Sequence, residues 1–245
     1  MSLLVLGANS LIAQCTAECF AKDKHEIIFA GRNAGQMQKL ANDFEIRFQC
    51  KAYGIEFDAL DYNSHKTFLE NVLKLIPQVD YVLLAFGYLG EQTKANEGFD
   101  ESKKIIETNY TGAVSIIHLF ASHFESQRKG NIIIISSVAG DRGRQSNYLY
   151  GSAKAGLSAF AQGLRSRLFK SGVHVLTVKP GFVDTPMTYG MPLPKLLVAS
   201  PKKVGKDIYK AALKKKNILY TPFYWRFIMM IVKSIPEFIF KKLKL

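Results

Sequence analysis

Six short runs of branched and long apolar residues recur along the chain, at Leu3 to Leu6, Glu26 to Ala30, Ala52 to Phe57, Tyr81 to Ala85, Ile132 to Ile135 and Val173 to Val178. They are apolar on successive residues rather than on alternate ones, so each needs cover on both faces. Segments of helical periodicity separate them, and helices are expected over Ala34 to Phe44, Ser64 to Leu75, Glu101 to Glu125 and Tyr150 to Lys170. Strands covered on both faces and joined through helices make a mainly parallel, doubly wound α/β sheet. The stretch from Gly181 to Pro194, broken by prolines, is expected to be irregular. In an open sheet of this kind ligands sit beyond the carboxyl ends of the strands, so that stretch is placed to cover them.

At 245 residues one core can carry such a sheet without staples. Cys15, Cys19 and Cys50 are odd in number and lack a CxxC pair, so neither a disulfide framework nor a metal site is expected, and the compartment is expected to be reducing. The chain runs from Met1 directly into its first apolar run and has no apolar stretch of the ~18 residues that a membrane span needs, which predicts a cytoplasmic protein without a secretory signal. The net charge of +13 is uneven, because residues 202–245 hold 12 of the 33 Lys and Arg but 2 of the 20 Asp and Glu. We therefore divide the chain into a domain over residues 1–221 and a basic, amphipathic extension over 222–245. On a helix Trp225, Ile228, Met229 and Val232 share one face and Arg226 and Lys233 another, which suits a helix lying in a membrane interface. The alternative is that this face packs on the protein's own sheet or on a second subunit. Basic residues interleaved with bulky apolar ones form no nucleic-acid motif, so nucleic acid is not an expected partner.

The first strand ends in Gly7-Ala8-Asn9-Ser10-Leu11-Ile12-Ala13 and an amphipathic helix follows, so the amides of the helix start can hold a pyrophosphate in a Rossmann-type fold. Farther on, Ser137 follows the run of isoleucines, Tyr150 stands 13 residues later, and Lys154 is one helical turn beyond it. That i,i+4 spacing sets the ammonium beside the phenol, which titrates near ~10 when free, and a nearby cation favours the ionised form of an acid-base tyrosine. The second strand ends in Gly31-Arg32, without the acid that takes a ribose 2'-hydroxyl in NAD-preferring folds. A guanidinium there suits a 2'-phosphate, so NADP(H) is the expected cofactor.

Over residues 1 to ~220 these motifs, with Ala85-Phe86-Gly87, Asn109 in Thr108-Asn109-Tyr110-Thr111-Gly112 and Pro180-Gly181-Phe182-Val183-Asp184-Thr185, make the sequence resemble the short-chain dehydrogenase/reductase family. The resemblance implies a catalytic tetrad of Asn109, Ser137, Tyr150 and Lys154. Tyr150 would protonate a carbonyl oxygen that Ser137 orients, Lys154 would hold the nicotinamide ribose and lower the tyrosine pKa, and Asn109 would hold a water in the proton relay. It further implies cofactor contacts from Gly7, Asn9, Ser10, Leu11, Ile12, Arg32, Asp58, Ala59, Ala85, Phe86, Gly87, Pro180, Gly181, Val183 and Thr185, besides Tyr150 and Lys154, with Asp58 beside the adenine amine. Leu11 and Ala13 depart from the usual glycines, and Phe86 from the commoner asparagine. The family commonly forms homodimers or homotetramers through the helices around Asn109 and Tyr150.

The tail from Tyr224-Trp225-Arg226 to Phe240-Lys241-Lys242, with Phe57-Asp58-Ala59-Leu60-Asp61 and Ala85-Phe86-Gly87-Tyr88, is similar to the branch of that family that supplies the reductase of decaprenylphosphoryl-ribose 2'-epimerases. That branch reduces a 2-keto pentose carried on a polyprenyl phosphate beside a partner oxidase. The expected function is thus NADPH-dependent reduction of a ketone, lipid-linked in this reading. Small, steroid-like or acyl-carrier-bound ketones are the alternative, as is a non-catalytic NADPH-binding partner subunit. Arg142 and Arg144, between Ser137 and Tyr150, are candidates either for a substrate phosphate or for a subunit contact.

Overall fold

Every residue of the first strand, β1 (Ser2–Leu6), is buried, as its unbroken apolar run requires. The computed structural model, which describes residues 1–243, places it in a seven-stranded sheet with β2 (Glu26–Gly31), β3 (Ala52–Glu56), β4 (Tyr81–Leu84), β5 (Asn131–Ile135), β6 (His174–Pro180) and β7 (Ile218–Thr221). All strands run parallel in the order β3-β2-β1-β4-β5-β6-β7. The helices are α1 (Leu11–Lys22), α2 (Ala34–Phe48), α3 (His65–Leu75), α4 (Gln92–Glu97), α5 (Phe99–Ile106), α6 (Gly112–Gln127), α7 (Tyr148–Leu168), α8 (Pro201–Leu213), α9 (Trp225–Ser234) and α10 (Glu237–Phe240).

Alternate side chains of one strand feed two separate cores, which is why both halves of the period must be apolar. Leu3, Val5 and Phe29 pack with Ala17 and Phe20 of α1 and Ile208 of α8 on one face. Leu4, Leu6 and Ile28 pack with Phe120 and Phe124 of α6 and Leu157 of α7 on the other. β1 pairs with β2 on one side and β4 on the other, with Leu3 opposite Ile27 and Tyr81, so the connections leaving β1 and β4 diverge and open a crevice at their carboxyl ends.

The expected helix from Glu101 to Glu125 is broken: α5 and α6 are joined by one wide π turn, Glu107–Thr111, centred on Asn109. β7 and α8 were not among the expected elements. The tail differs more. Trp225 and Met229 are buried against Val138, and Ile228 and Val232 pack beside them, so the face expected in a membrane is turned onto the protein itself. Two features make room for it. Gly181 has no side chain where a Cβ would overlap the Trp225 indole. The Arg142 guanidinium donates to the carbonyls of Val232 (2.7 Å) and Ile235 (2.5 Å), which closes the carboxyl end of α9. A different face, with Phe227, Met230 and Ile231, points outward. Lys244 and Leu245, the end of the expected extension, lie outside the described residues.

Candidate active site

Gly7 adopts φ +88°, and its α-carbon lies so close to the Phe86 backbone that a Cβ would stand 2.5 Å from the Phe86 nitrogen. Only glycine suits both conditions. Ser10 caps α1 by accepting from the Ala13 amide (3.4 Å), and Gln14 pins the turn through the Ala8 carbonyl (2.9 Å). The departures from the glycine pattern are absorbed locally. Leu11 is partly exposed to solvent, and Ala13 is small enough to be fully buried in the core between α1 and the sheet. The turn therefore keeps its geometry, with Asn9, Ser10, Leu11 and Ile12 around the start of α1.

Arg32 is exposed and forms no ion pair among the described residues, beside the start of α2, where Asn33 accepts from the Gln36 amide (2.9 Å). A free guanidinium next to the positive end of a helix is a suitable cradle for a phosphate. Asp58 is held by the Leu60 amide (2.9 Å), and Ala59 follows it along the same rim. His65 fixes this turn through the Asp58 carbonyl (3.1 Å) and Ser115 (2.9 Å), an arrangement with no signal in the sequence.

Ala85 extends β4 by donating to the Leu6 carbonyl (2.9 Å), and Phe86 packs near Phe57. A Cβ at Gly87 would stand 2.9 Å from Asn109 Oδ1 and 3.5 Å from Lys154 Nζ, so this glycine keeps open the space between two tetrad residues. Asn109 is buried by the π turn and donates to the Tyr88 (2.6 Å) and Ile105 (2.8 Å) carbonyls while accepting from the Tyr88 amide (3.2 Å). Ser137 follows β5 and accepts from the Ala139 amide (3.0 Å). Tyr150 lies in the first turn of α7, and Lys154 Nζ sits 5.6 Å from its ring centroid while donating to the Ile135 carbonyl (3.2 Å). All four residues converge at the carboxyl ends of β4 and β5.

Their electrostatics differ from the expectation of a lowered phenol. Tyr150 is half-buried as a residue but its hydroxyl is enclosed, and burial pushes it up to about 12, with the facing Ser137 hydroxyl the opposing influence. Burial likewise brings Lys154 down to about 8. With its ammonium aimed at the Ile135 carbonyl, desolvation outweighs attraction between the two groups.

The loop from Gly181 to Thr185 is fixed by Asp184 donating to the Ala199 carbonyl (3.0 Å), Ala199 to Phe182 (2.9 Å) and Thr188 Oγ to Val183 (2.6 Å). Pro180 ends β6, and Gly181 is roofed by Trp225. Trp225 is thus part of this wall. Arg142 is not, since its guanidinium is committed to α9, to Glu237 (2.9 Å) and to the Phe240 ring. Among the described residues no group of three His, Cys, Asp or Glu is placed to hold a metal ion, and no helix is long and apolar enough to cross a membrane.

The family model described as short chain dehydrogenase matches residues 2–192. An uncharacterized oxidoreductase of Streptomyces coelicolor is 34% identical over 99% of this chain and 95% of its own, and one of Mycobacterium tuberculosis is 32% identical over 98% and 96%. The solved structure of a short-chain dehydrogenase from Sphingobium yanoikuyae in complex with NADPH has a TM-score of 0.82 at 18% identity, covering 97% of both chains. With the family model spanning β1 to β6 and the relatives spanning the tail as well, this chain belongs to the short-chain dehydrogenase/reductase family, oxidoreductases that act on CH–OH and C=O groups with a nicotinamide cofactor.

Proposed function

We propose that this protein is an NADPH-dependent ketone reductase whose acid is Tyr150. The observation that carries the reading is the convergence of Ser137, Tyr150 and buried Lys154 beside Gly87. In this group the Tyr150 hydroxyl is the one placed to pass a proton to a carbonyl oxygen. Ser137 orients the carbonyl oxygen, and Lys154 meets the ribose hydroxyls of the bound dinucleotide. NADPH, when bound, supplies the hydride. Gly7 and the start of α1 face its pyrophosphate, Asp58 and Ala59 its adenine, and Arg32 with the start of α2 its 2'-phosphate. The loop Pro180, Gly181, Val183 and Thr185 closes the other end.

For the substrate we favour a keto-sugar on a polyprenyl phosphate, with a partner oxidase and attachment to an anionic membrane surface through the tail. The sequence similarity of the tail supports this reading, as does the outward array of Phe227, Met230, Ile231 and Phe238 beside Lys233, Lys241 and Lys242. Homodimerisation through α6 and α7 fits the same reading.

The test is NADPH oxidation with a panel of ketones, including a polyprenyl-phosphate keto-pentose and water-soluble ketones. Tyr150→Phe keeps the ring and deletes the proton donor, so turnover falls by about 100-fold to about 10,000-fold while NADPH still binds. Arg32→Ala raises the KM for NADPH much more than that for NADH. Undiminished turnover in Tyr150→Phe would falsify the catalytic assignment.

A further inference from the structure

The two arginines of the loop between β5 and α7 have opposite surroundings. Arg142 has a partner for each end of its guanidinium, in the α9 carbonyls and Glu237. Among the described residues Arg144 reaches only the Met229 sulfur with Nη2 (3.4 Å), a weak acceptor, and its Nε is buried without a hydrogen-bond partner. No carboxylate forms an ion pair with it among the described residues. Asp141 is the acid nearest along the loop, but its carboxylate is taken by Lys179 and by the Tyr220 hydroxyl (2.7 Å). Arg144 is half-buried, and an Nε desolvated without an acceptor carries a cost that a partner would recover.

Two further buried polar atoms without partners lie along the same wall. Asn147, whose amide donates to the Arg144 carbonyl (3.1 Å), precedes the helix that carries Tyr150, and its Oδ1 is unpartnered. Trp225, one turn before Met229, has an unpartnered indole N–H over Gly181. Met229 in turn packs in one cluster with Val138, the residue after Ser137. Unsatisfied buried groups are few in a native fold, and Arg144, Asn147 and Trp225 supply three of them on the segments that flank α7 and Gly181.

We propose that Arg144 is a specificity residue that pairs with an anionic group, a phosphate ester or a carboxylate, carried by the ketone substrate. The inference deepens the reading above and rests on reduction at Tyr150. A neutral ketone leaves the guanidinium without a strong acceptor, whereas an anion supplies one.

The measurement is kcat/KM with NADPH for dihydroxyacetone phosphate relative to dihydroxyacetone, in the wild type, Arg144→Met and Arg144→Lys. Methionine keeps the stem against Met229. The charged-to-neutral ratio is expected to fall by about 10-fold to about 100-fold in Arg144→Met, the range for a lost charge-assisted hydrogen bond, and to recover in part in Arg144→Lys. Arg144→Gln takes the place of the methionine variant if that variant does not fold. A second readout needs no turnover: with NADP+ saturating, glycerol phosphate raises the melting temperature of the wild type and not of Arg144→Met. That result with no ketone reduced retains the anion site and rejects the reductase reading. An unchanged charged-to-neutral ratio in Arg144→Met, with the protection by glycerol phosphate also unchanged, overturns the proposal. A lipid headgroup presents the same phosphate, so flotation with phosphatidylglycerol vesicles is run on the same variants. If Arg144→Met stops floating and keeps the wild-type ratio, Arg144 reads lipid rather than substrate and the proposal is likewise overturned.

Discussion

Lys154 is 3% exposed and has a carbonyl rather than a carboxylate for its ammonium, so the folded state carries a cost that serves the site and not the fold. The sign follows from linkage. An unfolded lysine titrates near 10.5 and the native one near about 8, so between these values the unfolded chain binds more protons and stability rises with pH. Below about 8 the cost is present in full. Lys154→Met is therefore expected to melt above the wild type at pH 7, with a gap that narrows by pH 10, and to lose turnover at both. Equal gaps at the two pH values count against charge burial as the cause. The tetrad is readable in sequence because its spacing encodes local geometry: Tyr150 and Lys154 must share a helix face wherever α7 lies. The contrast between Arg142 and Arg144 is unreadable, because their partners come from residues about 85 to 95 positions away.

At the scale of elements, the runs apolar on successive residues locate six strands, because burial on both faces leaves its mark in every position. β7 is an edge strand of four residues with Ile218 half exposed, directly after a run of lysines, so that mark is weak. The π turn is also silent, since its widening is set by the contacts of Asn109 and by Gly112 against the Ala59 carbonyl. One side chain clamps the carboxyl half of the tail. Arg142→Ala leaves the carboxyl end of α9 open and Phe240 without its cation, so we expect a loss of about 1 to about 3 kcal/mol and faster amide exchange in α9 and α10 than in β1. Arg142→Lys restores little, because one ammonium cannot span two carbonyls and a ring. Exchange in α9 at the wild-type rate in Arg142→Ala rejects this clamp.

Over the whole molecule, the exposed residues of the tail mix Phe227, Met230, Ile231 and Phe238 with Lys233, Lys241 and Lys242, while Trp225 and Met229 are turned inward. A variant that replaces Phe227, Met230, Ile231 and Phe238 by serine leaves Trp225 and Met229 in place. The intact protein is expected to float with anionic vesicles, and this variant to stay behind while still reducing a soluble ketone. If both float alike, or neither does, the outward face is not a lipid surface. Truncation near Thr221 is unsuited to the question, since it removes Trp225 from above Gly181.

That roof also bears on how the protein is made. Synthesis delivers the amino-terminal strands first, and domains fold in the order in which they emerge. Gly7, Arg32, Asp58 and the tetrad all precede Trp225 in the chain, so the residues proposed to hold the dinucleotide are made before the one that roofs Gly181. A chain halted before Trp225 is expected to bind NADPH while Gly181 stays uncovered.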